Sequence, residues 1–124
     1  MILIGRLARR AIIHMAAALA ASNLWLGHTV IVDCINPWDM TRRIFADAAK
    51  RADAGLLGVE TRCSDLNLHR ARVEERDIDV PGLCKPDWQD VLARDYTPWA
   101  TADVQIDTAK MGVADAVSEI RRHL

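Results

Sequence analysis

Residues 59–99 read VETRCSDLNLHRARVEERDIDVPGLCKPDWQDVLARDYTPW, and residues 104–109 read VQIDTA. The β-branched residues at the start of the first stretch predict a strand over Leu56–Cys63, and VQID predicts a second strand over Val104–Asp107. The residues between them have helical periodicity. Strands that alternate with helices are typical of an α/β domain with a mostly parallel sheet.

The segment between these strands predicts two helices joined by a hinge. Ser64 is a good N-cap for a helix that runs to about Asp77, with Asp65 in its first turn. Residues 79–86 form a Pro- and Gly-containing loop that acts as a hinge or as a simple turn. Asp87 then caps a further helix, which Pro98 ends. A closing amphipathic helix carries its apolar residues at Val113, Ala116, Val117, Ile120 and Leu124.

The first half of the chain predicts one more strand and one more helix. Thr29–Ile35 reads TVIVDCI, a nearly continuous apolar run of the kind that a buried parallel strand requires. Asp39 or Thr41 begins a helix to about Ala54, and Gly55 ends it. We expect both elements to join the same α/β domain.

The N-terminal segment has two interpretations. Three arginines at positions 6, 9 and 10 precede the apolar run Ala11–Ala21, a pattern that imitates a secretory signal. His14 interrupts this run, and a helix ended by Gly27 accounts for the spacing of its larger apolar residues. These are Ile12, Met15, Ala16, Leu19 and Leu26. We favour the helix, which is shorter than the ~18 residues expected of a membrane span.

Composition predicts one domain over residues 1–124, because a chain of this length with 51% hydrophobic residues can form a single core. Sixteen basic and seventeen acidic residues give a net charge of -1, which argues against nucleic acid or an anionic membrane as a partner. Cys34, Cys63 and Cys84 are widely spaced and odd in number, which favours free thiols in a reducing cytoplasm over a disulfide framework or a zinc site.

Arginines are concentrated on the helix that follows Leu56–Cys63. Arg72 and Arg76 lie four residues apart, and Glu74 can pair with Arg70. This pattern fits an ordinary solvated helix face, and it also fits a phosphate-binding helix, since a guanidinium holds phosphate oxygens in a bidentate fork. Spacing alone leaves both interpretations open.

Four segments in this order resemble the C-terminal two thirds of bacterial P-loop kinase-like proteins, which are usually labelled AAA-family ATPases or predicted kinases. They are HTVIVDCINPW, VETRCSDLNLHRARVEERDIDVPGL, PDWQDVLARDYTPW and VQIDTA. This group is related to zeta toxins, chloramphenicol phosphotransferase and gluconate kinase. The resemblance implies a three-layer α/β/α fold, a lid-like region over residues 64–97, ATP with Mg²⁺, and a small hydroxylated acceptor.

The resemblance also implies roles for particular residues. Asp33 corresponds to a Walker-B-like or acceptor-activating carboxylate, where it would be catalytic or a magnesium ligand; capping of the turn before Pro37 is the alternative. Arg72 and Arg76 correspond to catalytic lid arginines that neutralise the transferring phosphoryl group, with Arg70 as a nucleotide ligand. Asp107 and Thr108 correspond to nucleotide-binding residues, and turn capping is again the alternative.

One motif of the family does not occur in these 124 residues. Such kinases carry G-x-x-x-x-G-K-[ST], whose backbone amides and lysine hold the phosphates. The chain begins with MILIGRLARR and has no lysine before Lys50. Relative to the family we therefore interpret it as N-terminally truncated, and we expect phosphoryl transfer by this chain alone to be impaired or absent.

The missing motif also affects the expected sheet, because the strand that precedes it would lie between the strands Thr29–Ile35 and Leu56–Cys63. Met1–Ile4 could fill that place, the two strands could pair directly, or a second copy could cover the free edges in a homodimer. Two hypotheses on function follow. The chain is either an ATP-dependent small-molecule phosphotransferase domain or a non-catalytic interaction or oligomerisation module derived from a kinase.

Overall fold

The computed structural model describes residues 6–82 and 84–124, with side chains from residue 11 onward. Five helices and two strands occur in this part of the chain. In sequence order they are α1 Arg6–Trp25, α2 Asp39–Arg51, β1 Val59–Arg62, α3 Leu66–Glu75, α4 Trp88–Leu92, β2 Val104–Asp107 and α5 Val113–Arg121. A mixed α/β chain with a parallel sheet is confirmed. The proposed strand at Met1–Ile4 lies outside the described residues.

The chain divides into two compact units. The first unit extends to Leu56 and includes Tyr96–Pro98, and the second contains Leu57–Asp95 and Trp99–Leu124. The first unit therefore holds α1 and α2, and the second holds both strands and the other three helices.

The core of the first unit lies between α1 and α2. Ala17 and Ala21 of α1 are buried with Phe45 and Ala48 of α2. Alanines on α1 let the two backbones approach closely, and the Phe45 ring fills the remaining space. Gly27, at a φ of +82°, ends α1 as the sequence predicted.

A buried arginine fixes the chain around the start of α2. Arg42 is only 5% exposed and donates from Nε to the carbonyl of Asn36 at 3.1 Å. Its Nη1 contacts the Asp39 carboxylate at 3.1 Å, and its Nη2 donates to the carbonyl of Thr97. The guanidinium also lies over the ring of Tyr96, 5.4 Å from the centroid. Arg42 thereby holds the Tyr96–Pro98 segment against the first unit.

The strand predicted at Thr29–Ile35 is absent from the structure. These residues form no strand or helix, and they make no hydrogen bond with any described residue. Ile31 is 90% exposed. The β-branched composition favours a strand, but strand propensity produces one only where a neighbouring strand completes the hydrogen bonds.

The second unit is built on the pairing of β1 with β2. The strands are parallel, with Val59 opposite Val104 and Arg62 opposite Asp107. The amide of Val104 donates to Gly58 at 3.1 Å, and that of Thr108 donates to Arg62 at 2.7 Å. The VQID strand has the predicted bounds, whereas β1 begins only after Gly58. The side chains of Val104 and Ile106, both in β2, are buried.

Close packing surrounds the start of β1. The Trp99 ring lies over Gly58, so that a Cβ at residue 58 would come within 2.6 Å of a ring carbon. The amide of Gly58 donates to the carboxylate of Asp103 at 2.7 Å, and the amide of Trp99 donates to the buried carboxylate of Glu60 at 2.7 Å. These two hydrogen bonds thus connect the segment before β2 to the start of β1.

The helices between the strands differ from the sequence prediction at their ends. Asp65 rather than Ser64 caps α3, since its carboxylate accepts the amide of Leu68 at 3.0 Å. Asp87 caps α4 as predicted. Its carboxylate accepts the amide of Asp90, and the Asp90 carboxylate accepts the amide of Asp87. However, α4 ends at Leu92, well before Pro98, and the residues from Arg94 to Pro98 are not helical.

The last helix was predicted correctly in type. Its apolar residues Val113 and Val117 nevertheless remain exposed, and none of the helix is fully buried. Across the described residues, no helix is both long and apolar enough to cross a membrane.

Candidate functional site at the carboxyl end of the sheet

Polar side chains gather where the two parallel strands end. Arg62 and Asp107 are opposite each other at that edge. Residues 63–65 lead from β1 into α3, and Thr108 follows β2. In open α/β sheets, ligands bind outside the carboxyl ends of the strands, where turns and helix N-termini meet. We therefore treat this edge as the candidate site.

The Asp107 carboxylate holds the turn after β1. Its Oδ1 accepts the amide of Ser64 at 3.0 Å and that of Ala109 at 3.2 Å. The second oxygen, Oδ2, is enclosed and accepts no hydrogen bond from the described residues, while Lys110 Nζ lies 3.6 Å away. Hydrogen bonds from the Ser64 side chain and backbone hold the pKa of Asp107 well below its ordinary value.

Arg72 connects α3 to the end of β2. Its Nη1 donates to Thr108 Oγ1 at 3.1 Å, and its Nη2 donates to the Thr108 carbonyl at 3.2 Å. Thr108 Oγ1 in turn donates to the carbonyl of Arg62 at 3.0 Å. These bonds fix the plane of an exposed guanidinium. Since a guanidinium carries five N–H groups, Arg72 retains donors for an anionic ligand.

Cys63 also belongs to this cluster, although the sequence pattern does not mark it as a site residue. Its Sγ lies 4.0 Å from Arg72 Nη1 and donates to the carbonyl of Asp65 at 3.3 Å. Ser64, expected only as a helix cap, donates its amide to Asp107. The available signal was the position of the CSD triplet between a strand and a helix, which places it at the edge of the sheet.

The other two arginines of α3 are not part of this cluster. Arg70 Nε pairs with Glu74 Oε1 at 2.7 Å, as the four-residue spacing predicted. Arg76 is the C-cap of α3 with an extended backbone, so it does not continue the helical face of Arg72. Among the described residues, it makes no hydrogen bond or ion pair. Of the predicted site residues, the structure thus brings together Arg72, expected to be catalytic, with Asp107 and Thr108, expected to bind nucleotide.

Asp33 belongs to the first unit, where it is exposed and precedes a bend at Cys34. The sequence predicts it at the end of a strand, and that strand does not form. Next to it, burial first and the Asp33 charge second raise the pKa of the Cys34 thiol. Oδ1 of Asn36, farther along this segment, is enclosed without a hydrogen-bond partner among the described residues.

A magnesium ion would find few protein ligands in either unit. No group of three His, Cys, Asp or Glu side chains is arranged to hold a metal within the described part of the chain. Mg²⁺ in nucleotide sites is usually held by one or two carboxylates, water and substrate phosphates. The described residues therefore offer no three-ligand site for a resident ion.

Comparisons with known proteins leave the family open: no family model, curated protein or solved structure matches this chain.

Proposed function

We propose that this chain is a kinase-like nucleotide-binding domain, whose full fold is a three-layer α/β/α arrangement and whose ligand is ATP with Mg²⁺. The fixed guanidinium of Arg72 at the carboxyl end of two parallel strands is the observation that carries this proposal. An immobilised guanidinium binds a phosphate with less loss of side-chain entropy than a free one. The resemblance of the surrounding sequence to P-loop kinases supports it.

In this proposal the polar residues of the edge have separate roles. Arg72 contacts a phosphate group directly, and Thr108 positions its guanidinium. Asp107 holds the Ser64 turn and is a positioning residue, since its Oδ2 is enclosed and its Oδ1 is used by two amides. Arg70 pairs with Glu74, and Arg76 follows the end of α3, so neither is given a phosphate contact. Asp33 belongs to the first unit and is given no role at this edge, and the expected acceptor is a small hydroxylated molecule.

Catalysis by these residues alone is not expected. Within the 124 residues, no G-x-x-x-x-G-K-[ST] motif supplies the amides and lysine that position phosphates. The proposal is therefore one of nucleotide binding, with phosphoryl transfer impaired unless those groups come from elsewhere.

A thermal-shift titration with MgATP tests the proposal. We expect the melting temperature to rise with nucleotide, because a ligand at 100 times its Kd stabilises the folded state by about 2.7 kcal/mol. Arg72→Ala should reduce this rise. Arg94→Ala is the matched control, since Arg94 is exposed in the same unit and its side chain makes no hydrogen bond or ion pair with a described residue. No shift at millimolar nucleotide in the unmodified chain contradicts nucleotide binding.

A second candidate, a non-catalytic oligomerisation module, is favoured by an edge of the sheet that no described strand covers. The even-numbered residues of β1 bond to β2, so the backbone groups of Val59 and Thr61 point outward. They have no hydrogen-bond partner among the described residues. An unpaired edge of this kind is a template for strands from another chain, including a second copy.

Thr61→Pro tests the edge as an interface. Proline removes the outward N–H of residue 61 without removing a bond to β2. If copies associate through this edge, the variant should be monomeric where the unmodified chain associates. Unchanged association in Thr61→Pro argues against the edge.

A further inference from the structure

The edge of the sheet along β1 accepts a further strand more readily than the edge along β2. The N–H and C=O groups of Val59 and Thr61 point away from β2 and bond to no described residue. The outer edge of β2 is partly occupied, because the Asp107 carbonyl accepts the amides of Lys110 and Met111. Open edges of this kind take an added strand from another chain.

The segment Thr29–Ile35 has the complementary property. It reads TVIVDCI, a composition of high strand propensity, and its backbone makes no hydrogen bond with any described residue. Ile31 is 90% exposed. Each copy of the chain thus has a strand-forming segment and a strand-accepting edge that are both unpaired. Two copies can satisfy both, since each can give its segment to the other across a two-fold axis.

The apolar residues of the segment select a parallel alignment with β1. Paired residues of a sheet lie on the same face, and Val59 and Thr61 share a face with the buried side chains of β2. Pairing Val30 with Val59 places Val32 beside Thr61, so that two valines extend this apolar face. A parallel strand also continues the direction of the existing pair.

Charge favours the same alignment. It places Asp33 beside Arg62, whose side chain makes no hydrogen bond or ion pair with a described residue. A shift by one residue would put Asp33 on the apolar face, beside Thr61. A shift by two would put it beside the Glu60 carboxylate, and like charges on adjacent strands are destabilising. A shift in the other direction would take Asp33 past the end of β1 and away from Arg62.

We infer that Thr29–Ile35 of one copy adds as a third parallel strand to β1 of a second copy, in the alignment that pairs Asp33 with Arg62. The inference rests on the second candidate function and deepens it by naming the segment that covers the sheet edge. In this alignment the N–H of Ile31 donates to the Val59 carbonyl, whereas the N–H of Val32 points away from β1. A two-fold dimer contains this contact twice.

Analytical ultracentrifugation over a wide range of protein concentrations tests the strand pairing with two proline variants. Ile31→Pro removes an N–H that bonds to β1 in each of the two contacts, so the dimer dissociation constant should rise at least about tenfold. Val32→Pro is the matched control, because it removes only an outward N–H, and it should change the constant much less. Far-UV circular dichroism should be the same for both variants, since Thr29–Ile35 bonds to no described residue within one copy.

The cysteines test the alignment itself. It places Cys34 of one copy beside Cys63 of the other, at the ~4.8 Å spacing of adjacent strands, which a disulfide can bridge. In Cys84→Ser these are the only two thiols, and mild oxidation with diamide should give a covalent dimer on a non-reducing gel. Peptide mass mapping should identify Cys34 joined to Cys63. Adding Ile31→Pro should slow formation of this disulfide, and adding Val32→Pro should not.

The remaining outcomes separate this inference from the second candidate function. Dimers that dissociate in Thr61→Pro but are unchanged in Ile31→Pro support the edge as an interface and overturn the strand assignment. A disulfide between Cys34 and Cys63 of the same chain shows that the segment covers its own edge, which overturns both proposals. A chain that stays monomeric at every concentration and forms no such disulfide also overturns both. MgATP binding is measured separately and is independent of these results.

Discussion

The Asp107 carboxylate accepts the backbone N–H of Ser64 at 3.0 Å, joining the end of β2 to the turn that follows β1. The two residues are 43 positions apart in sequence. Their contact closes the carboxyl edge of the sheet and places Ser64 outside α3, which leaves the capping of that helix to Asp65. Several properties of the candidate site depend on this one bond.

The first prediction concerns the pH dependence of stability. Hydrogen bonds from Ser64 lower the pKa of Asp107 in the folded chain below its ordinary value of 3.8. The unfolded chain therefore takes up the proton first as the pH falls. The stabilisation by Asp107 should be complete above about pH 5 and should decrease as the pH falls below 3.8 toward the folded pKa. Urea unfolding of the unmodified chain and of Asp107→Asn as a function of pH measures this stabilisation.

The difference in unfolding free energy between these two proteins should be constant near neutral pH and should narrow in acid. Asp77→Asn is the control, because Asp77 is exposed and makes no hydrogen bond or ion pair with the described residues. A difference between unmodified protein and Asp107→Asn that grows as the pH falls would mean that Asp107 does not stabilise the fold as a carboxylate.

The second prediction concerns the contact between Gly58 and Trp99. A Cβ on residue 58 would lie 2.6 and 2.7 Å from two carbons of the Trp99 ring. Because the ring is rigid, it must shift as a whole, and Gly58→Ala should destabilise the chain by about 1–3 kcal/mol. Gly55→Ala is the matched control: nothing lies within 4 Å of its added Cβ, so we expect a change of about 0.5 kcal/mol or less.

Chemical denaturation of both glycine variants checks this prediction. In the double variant Gly58→Ala/Trp99→Leu, the smaller side chain removes the clash, so its destabilisation should be less than the sum of the single effects. Equal stability losses for Gly58→Ala and Gly55→Ala would show that the Trp99 ring is not packed against β1 as described.

The third prediction concerns Arg42, whose guanidinium serves the carbonyls of Asn36 and Thr97 as well as the Asp39 carboxylate. Arg42→Met keeps most of the apolar volume but removes these hydrogen bonds, each of which contributes about 0.5–1.5 kcal/mol, or about 1.5–3 kcal/mol where a charged group takes part. We expect a total loss above about 2 kcal/mol. Arg43→Met, at the exposed neighbouring position, should have little effect.

The melting temperatures of Arg42→Met and Arg43→Met compare the buried position with the exposed one. Proteolysis near residues 96–98 should also accelerate in Arg42→Met, because Nη2 of Arg42 holds the Thr97 carbonyl in the first unit. If Arg42→Met and Arg43→Met have the same melting temperature, the hydrogen bonds of Arg42 do not stabilise the fold more than an exposed arginine does.

Features decided by nearby residues could be predicted from the sequence. The Asp87 cap, the Gly27 stop and the β2 strand have the expected positions. A carboxylate that accepts a first-turn amide and a glycine at positive φ both depend on nearby residues alone. Thr29–Ile35 shows the limit of this reasoning. Its composition indicates a strand, but a strand also needs a partner edge, which is a property of the whole chain.

The candidate site was predictable as a set of residues but not as a set of contacts. The resemblance marked Arg72 on a lid-like helix and Asp107 and Thr108 after the last strand as site residues, without predicting that they meet. Their pairing depends on the register of β1 with β2 and on the rotation of α3, neither of which spacing determines. For the same reason the spacing predicts Arg76 on the face of Arg72, although α3 ends at Glu75. Prediction of helix ends is uncertain by one or two residues, which is enough to move a side chain off a face.

The last prediction concerns the reactivity of Cys34. Cys34 is exposed at the surface but partly desolvated; this partial burial, and to a smaller extent the charge of Asp33, raises the pKa of its thiol above the ordinary value of 9.0. Since the thiolate is the reactive form, alkylation of Cys34 by iodoacetamide should reach half its maximal rate at a pH above 9.0. A variant with Cys63→Ser and Cys84→Ser makes Cys34 the only reacting thiol. Adding Asp33→Asn should move the midpoint down only in part, because burial is the larger cause. Unfolding in urea should return the midpoint to the ordinary value. A midpoint that is the same in folded and unfolded protein would show that the environment of Cys34 does not protect it.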